Sequence, residues 1–217
     1  MKRIIDLTHP IREGMPVFPG DTEYTTELIH SIGGTGFNVS KFTMGTHNGT
    51  HVDVPHHVIP SDKAVENILL DTLIGWATVL DLGDLSPNFD ITSADLDVFA
   101  DKVTESSRIL LRTNWGKRVG DPNFYSEYPS LSEGAALWLN ARKVKLLGIE
   151  QPSVEKVNSN KIHRALLETN MVVLESLANL DKITQDRVYL VALPIKLAGA
   201  DGAPTRVIAI EGMDIPE

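Results

Sequence analysis

Four of the seven histidines in this 217-residue chain lie between positions 47 and 57, and an aspartate stands among them. Imidazole and carboxylate groups bind zinc or manganese where thiolates are lacking, and the chain has no cysteine. A lone histidine in a loop is usually only a surface residue, but this clustering is hard to explain in that way. We therefore predict a metal site whose local ligands are His47, His51 and Asp53.

The sequence around these residues disfavours a helix. Gly49 and Pro55, together with several β-branched residues, weaken helical structure. In a straight strand, His47 and His51 would lie roughly 13 Å apart, at about 3.3 Å per residue, which is too far for both to bind one ion. We therefore predict a tight turn at Asn48-Gly49, since both residue types tolerate positive φ.

The last two histidines of the run, His56 and His57, face opposite sides if the chain is extended there. Alternate side chains of a strand share one face, and His57 has the same parity as the three presumed ligands. We therefore place His57 in the site. His56 is interpreted as a structural residue or as one that supports a ligand.

The elements that must position this site are predicted from runs of β-branched and aliphatic residues, bounded by Gly, Pro, Asp or Asn. The predicted strands cover residues 4–7, 24–30, 39–44, 77–82, 109–113, 144–149, 172–174, 188–193 and 206–210. The predicted helices cover residues 92–101, 134–142 and 161–168. The fold class is therefore α/β, as one mixed domain over residues 1–217 that is richer in strand than in helix.

Composition and charge limit the classes of partner. The chain is 42% hydrophobic, and its net charge of −9 argues against nucleic acid and anionic membranes as partners. No apolar run approaches the roughly 20 residues of a membrane span. Asp6, followed by His9 and Pro10, interrupts any signal-peptide core. We therefore expect a cytoplasmic protein whose main partner is neither a nucleic acid nor a membrane.

The histidine-rich run also resembles the signature of a known family. The pattern His47-x-Gly-Thr-His51-x-Asp53-x-Pro55-x-His57 is similar to that of the cyclase-type metal-dependent hydrolases, which include bacterial kynurenine formamidases and isatin hydrolases. The similarity extends over most of the chain. It includes the segments at residues 6–10, 16–21, 148–155, 162–164, 172–177 and 193–201.

The resemblance implies a particular site. Two divalent ions, zinc or manganese, would share Asp53 as a common ligand. A catalytic acid/base, His57, would stand beside them, and Phe18 would contact substrate at a position where formamidases often carry tryptophan. The implied metal ligands are His47, His51 and Asp53, together with His163 and Glu175, which stand twelve positions apart as in the family.

The resemblance also implies an activity and an assembly. The favoured reaction is hydrolysis of N-formylkynurenine to kynurenine and formate by a metal-bound hydroxide. Two alternatives stay open. The first, which Phe18 suggests, is an isatin hydrolase-like enzyme or another hydrolase of lactones or cyclic amides on the same metal site. The second is a non-catalytic metal- or small-molecule-binding module. The implied fold is a swivelling β/β/α type core. The implied assembly is a homodimer or a higher homo-oligomer with the pocket near the interface.

Overall fold

The computed structural model describes residues 2–156 and 159–214. The strands in those ranges are β1 (Arg3–Asp6), β2 (Thr25–His30), β3 (Val39–Thr43), β4 (His51–Asp53), β5 (Ile74–Asp81), β6 (Asp90–Ile91), β7 (Arg108–Arg112), β8 (Ser130–Leu131), β9 (Leu146–Ile149), β10 (Val172–Glu175), β11 (Arg187–Pro194) and β12 (Gly202–Glu211). The helices are α1 (Ile32–Thr35), α2 (Leu70–Leu73), α3 (Ser93–Asp97), α4 (Glu133–Ala141) and α5 (Lys161–Leu167).

Seven of the strands form a closed sheet. The order is β12-β11-β5-β7-β9-β10-β4, and β4 pairs back onto β12. The neighbours from β5 through β7 and β9 to β10 are parallel, and the remaining pairs are antiparallel. β1 adds to the far end of β12. Strand β4, which is only three residues long, therefore closes the ring by pairing with β10 on one side and with β12 on the other.

Alternation along the strands divides the core into two apolar clusters. Leu110 and Leu174 belong to the cluster enclosed by the closed sheet, and their neighbours Leu111 and Val173 belong to the other cluster. The second cluster includes buried side chains of α3, α4 and α5, so these helices cover the outer face of the sheet. On β4, Val52 points to the enclosed cluster. Its two neighbours therefore face outward, toward the helices.

The helix termini follow their sequence signals. The hydroxyl oxygen of Ser132 accepts a hydrogen bond from the backbone N–H of Ala135 at 3.1 Å and caps α4. The carboxylate of Asp95 accepts a bond from the backbone N–H of Thr92 at 2.7 Å, which is one half of a capping box at the start of α3. No helix in residues 2–156 and 159–214 is long and apolar enough to cross a membrane.

The β2–β3 hairpin stands apart from the closed sheet. Every residue in its two strands is exposed. The exposed apolar side chains of the segment are Leu28, Ile29, Ile32, Phe37, Val39 and Phe42. An isolated two-stranded hairpin is at best marginally stable in water, and this arm presents an apolar surface that the rest of the described chain leaves exposed.

The expected fold class, a strand-rich mixed α/β fold, is confirmed. All nine predicted strands and all three predicted helices are present, with ends shifted by a few residues. Strand β4 was not predicted because it is too short to show alternation. The glycine-rich stretch before β3 contains the one-turn helix α1, which is not among the three predicted helices.

Candidate metal centre

Strand pairing places three of the predicted ligands together. His51 and Asp53 are two residues apart on β4, so their side chains share the outward face. Glu175 lies directly opposite His51 on β10. All three side chains are buried, with exposed fractions of 1–3%. The Nε2 atom of His51 lies 3.3 Å from Oδ1 of Asp53 and 3.5 Å from Oε2 of Glu175.

A bend in the chain before β4 brings His47 back to this face. The backbone N–H of Asn48 donates to the carbonyl of Gly45 at 3.4 Å, and Gly49 adopts a φ of +67°. The predicted bend between the two histidines is therefore present, although it begins before Asn48, which itself keeps a negative φ. Nδ1 of His47 lies 2.8 Å from Oδ1 of Asp53.

His163 reaches the site from the first turn of α5, on the outer side of the sheet. Its Nε2 atom lies 3.5 Å from Oδ2 of Asp53 and 3.3 Å from Oε1 of Glu175. Its Nδ1 atom lies 2.8 Å from Oε1 of Glu155. Glu155 also accepts bonds from the backbone N–H groups of Ile162 and His163. This carboxylate therefore fixes both the start of α5 and the orientation of the imidazole.

The donor atoms fit a divalent cation. Oδ1 of Asp53 faces His47 and His51, whereas Oδ2 faces His163. Among the described residues, Oδ2 is a buried oxygen with no hydrogen-bond partner. An ionised oxygen buried without a partner is costly, and a bound cation would remove that cost. Within the described ranges, one ligand atom from each of His51, Asp53 and Glu175 lies within 4.8 Å of the others.

The electrostatics of the cluster favour positive charge at these atoms. Burial opposes protonation of His47 and His51, but the neighbouring carboxylates outweigh burial and raise the pKa of these imidazoles to about 9 and about 10. Burial likewise opposes ionisation of Asp53, but the histidines hold its pKa well below the usual range. The same carboxylates that stabilise protons on these rings would stabilise a divalent ion in their place.

His57 enters the site by a different route from the one that its parity suggested. Residues Pro55–His57 form a 3₁₀ turn rather than an extended segment, so the alternation argument does not apply there. The turn nevertheless directs His57 inward, with its ring centroid 4.2 Å from that of His47 and 5.4 Å from that of His163. His56 is exposed. Burial, together with the nearby His47 and His163, lowers the pKa of His57 despite the opposing effect of Asp53.

A pocket of about 250 Å³ opens onto these groups. His47, His51, His57, His163 and Glu175 contribute to its inner wall. Its outer wall combines aromatic and charged side chains, namely Phe18, Tyr125, Asp21 and Lys156.

Phe18 is held in this wall by Tyr125. Their rings meet edge to face, with centroids 6.0 Å apart, and the Tyr125 hydroxyl donates to the carbonyl of Pro16 at 3.1 Å. Phe18 therefore lies where a substrate ring could contact it, beside a second aromatic side chain.

Sequence reasoning gave no role to two carboxylates of the site. Glu155 contacts His163, and Asp201 lies with Oδ2 3.0 Å from Nε2 of His47. Both residues stand in segments that resemble the family, but nothing in their local sequence pairs them with a histidine. Tyr125 and Lys156 also line the pocket, but they are far in sequence from the histidine-rich run, and no local pattern marks them as pocket residues.

Comparisons with known proteins identify the family. The Cyclase family model matches residues 5–156. The kynurenine formamidase of Erythrobacter litoralis (strain HTCC2594) is 33% identical over 213 residues, which cover 97% of this chain and 94% of that protein. A solved structure described as a potential metal-dependent hydrolase with cyclase activity is 28% identical, with a TM-score of 0.85 over 98% of this chain and 100% of that one. Isatin hydrolase A from Ralstonia solanacearum is 25% identical, with a TM-score of 0.84 over 96% of this chain and 92% of that one. The chain therefore belongs to the Cyclase family, and it is a metal-dependent hydrolase.

Proposed function

We propose that this enzyme hydrolyses the C–N bond of an N-formylated arylamine, and that N-formylkynurenine is its substrate. The observation that carries the proposal is the position of Asp53. Its two oxygens face different sets of imidazoles, and those imidazoles line a pocket with aromatic walls. The kynurenine formamidase relatives support the choice of substrate.

We assign the ligands of two divalent ions from the contacts of the two Asp53 oxygens. The first ion would be held by His47, His51 and Oδ1 of Asp53, and the second by His163, Glu175 and Oδ2 of Asp53. Nitrogen and oxygen donors suit both zinc and manganese. Such ions, when bound, activate a water molecule and polarise the amide carbonyl.

His57 supplies the proton transfer that the reaction needs. A neutral imidazole can accept the proton of the attacking water as the new C–O bond forms. It can then deliver that proton to the departing nitrogen as the C–N bond breaks, so that an amine leaves rather than an amide anion. The lowered pKa of His57 favours the neutral form that this role requires. The products are formate and the free arylamine.

The charged side chains of the outer wall favour a substrate that carries an amino-acid group. The Lys156 ammonium donates to the carbonyl of Tyr128 and to Oδ1 of Asn88, and its third N–H group could pair with an α-carboxylate. Asp21 could pair with an α-ammonium group, while Phe18 and Tyr125 contact the aromatic ring. N-formylkynurenine has all three features. Isatin has only the ring, so its cyclic amide is the second candidate, supported by the likeness to isatin hydrolase A.

The first experiment measures formate release from N-formylkynurenine by purified protein that has been stripped with a chelator and reloaded with zinc or manganese. We expect metal-restored turnover of about 1 s⁻¹ or more, an ordinary rate for an enzyme on its own substrate. N-formylaniline, which lacks the amino-acid group, tests the outer wall and should show a much lower kcat/KM. Equal turnover of the two formamides, or faster opening of isatin, would contradict the proposed substrate.

A substitution at His57 tests the proton-transfer role. We expect His57→Gln to lower kcat by about 10²- to 10⁴-fold, the usual contribution of general acid–base catalysis. His56→Gln is the matched control, because His56 is the adjacent residue and is exposed. Metal content should be measured in both variants. Full turnover in His57→Gln would exclude the role given to this residue.

We also propose that the enzyme is a homodimer in which the β2–β3 hairpin packs against a second copy. The support is the exposed apolar surface of the hairpin, which an isolated arm could not keep stable. Strand β3 leads directly into the bend that carries His47, so a partner that orders the arm would also steady the site.

A further inference from the structure

Asp201 occupies a position between the end of the closed sheet and the metal centre. It stands immediately before β12, and its Oδ1 atom accepts a bond from the hydroxyl of Thr46 at 3.1 Å. Its Oδ2 atom lies 3.0 Å from Nε2 of His47. Asp201 thus holds both His47 and the residue before it, although 154 positions separate it from His47.

The contact with Asp201 determines which ring nitrogen of His47 keeps a lone pair that could bind a metal ion. This imidazole lies between two carboxylates, with Nε2 facing Asp201 and Nδ1 facing Asp53. A neutral imidazole carries one N–H group and one lone pair. If the N–H group is donated to Asp201, the lone pair lies on Nδ1, which is the atom that faces the other donors of the site.

The backbone next to Asp201 confines the same ring. Gly202 pairs with Asp53 in the sheet. A Cβ atom on Gly202 would lie 2.6 Å from Cε1 of His47 and 2.8 Å from the carbonyl oxygen of Val52. The ring therefore packs against bare backbone on one side and is anchored at Nε2 on its outer edge.

The same carboxylate lies beside the proton-transfer group. Oδ2 of Asp201 is 3.7 Å from Nδ1 of His57, whose ring lies against that of His47. One oxygen therefore faces two imidazoles that have different roles in the proposed reaction.

We propose that Asp201 is a positioning residue that fixes His47 with Nδ1 directed at the first ion and keeps His57 beside it. The inference rests on the metal site assigned above. Glu155 has the corresponding role at His163. It holds Nδ1 of that imidazole, so that Nε2 faces Asp53 and Glu175. Each of these two histidines is thus oriented by a carboxylate on the side away from the shared ligand.

The test compares Asp201→Ala and Asp201→Asn with the wild-type protein, using zinc titration against a competing chelator. We expect Asp201→Ala to weaken the binding of one zinc ion by about 10- to 100-fold, the usual effect of removing such a support. Asp201→Asn should lose less zinc affinity than Asp201→Ala, because its carboxamide oxygen can still accept a hydrogen bond from the Nε2–H group of His47. Asp186→Asn is the control, because Asp186 is an exposed aspartate that pairs with Lys102.

The ¹⁵N spectrum of histidine-labelled, zinc-loaded protein provides a readout that does not depend on activity. We expect His47 to carry its proton on Nε2 in the wild-type protein and to lose this single tautomer in Asp201→Ala. Unchanged zinc affinity together with an unchanged His47 tautomer in Asp201→Ala would overturn this inference alone. A wild-type protein that binds no zinc or manganese would overturn the metal assignment and the inference with it.

Discussion

Glu150 is a carboxylate that the proposed reaction does not use, and its surroundings make its charge unfavourable. It is fully buried, and although Oε2 accepts a bond from the backbone N–H of Thr113 at 2.6 Å, Oε1 has no partner among the described residues. Burial outweighs the hydrogen bonds and raises the pKa of Glu150 to about 7. The folded protein therefore binds this proton more tightly than the unfolded chain does.

This shift predicts a pH-dependent effect of Glu150→Gln. Because the pKa is raised from 4.5 to about 7, the free energy of unfolding falls as the pH rises through that interval, by about 3 kcal/mol. The carboxamide of the variant would remain neutral, so the variant should match the wild type near pH 5 and exceed its stability near pH 8. Urea unfolding of both proteins, stripped of metal so that ion release does not contribute, measures this difference. A difference in stability that is constant between pH 5 and pH 8 would contradict the prediction.

At the scale of single residues, the sequence was informative where ligands are close together in the chain. The spacing of His47, His51 and Asp53 predicted that they belong to one cluster, and the structure brings them together. His163 and Glu175 could be found only through the resemblance, since neither lies in a local pattern that suggests a ligand. Their metal-binding role remains a prediction, as does that of the other three.

At the scale of elements, Gly202 shows how a strand limits the site. We expect Gly202→Ala to destabilise the protein by about 1–3 kcal/mol, because its Cβ atom would meet His47 and the backbone of Val52. The displaced ring should also weaken zinc binding. Thermal unfolding and zinc titration measure the two effects.

Gly134→Ala is the matched control for this substitution. Gly134 lies in α4, and a Cβ atom there would meet only side-chain atoms at 3.6 Å or more, which are ordinary contacts. Alanine favours a helix over glycine by up to about 1 kcal/mol, so this variant should be as stable as the wild type or slightly more stable. Equal thermal stability and equal zinc affinity of the two alanine variants would show that the structure has room for a Cβ atom at position 202.

The longer elements could be predicted from the sequence, and the short ones that shape the site could not. Alternation and capping residues predicted α4 and the long strands. Strand β4 has three residues, and the turn at Pro55–His57 interrupts alternation, so neither carries enough pattern to be recognised. The closed order of the sheet depends on contacts between distant segments, which periodicity along the chain does not encode.

At the scale of the whole molecule, the exposed hairpin predicts self-association. Phe42 on β3 is 56% exposed. We expect Phe42→Glu to shift a dimeric protein toward the monomer, because a charge would then lie in the proposed interface. Light scattering coupled to size-exclusion chromatography measures the mass. Leu137→Glu is the control, since Leu137 is a comparably exposed apolar residue on α4. A monomeric wild-type protein, or equal masses for both variants, would contradict the dimer.

The short strand that closes the sheet gives the proposed ions a second consequence. β4 joins β10 to β12 through only three residues, and it carries two of the proposed ligands, while Glu175 stands across the seam on β10. Ions bound to these residues would cross-link β4 to β10, where the closed sheet is held by the fewest residues. We therefore expect chelation to speed amide exchange first at β4 and the facing part of β10, before the parallel strands respond. In such a protein, release of the ions and opening of the closed sheet at β4 would occur together, in one coupled transition.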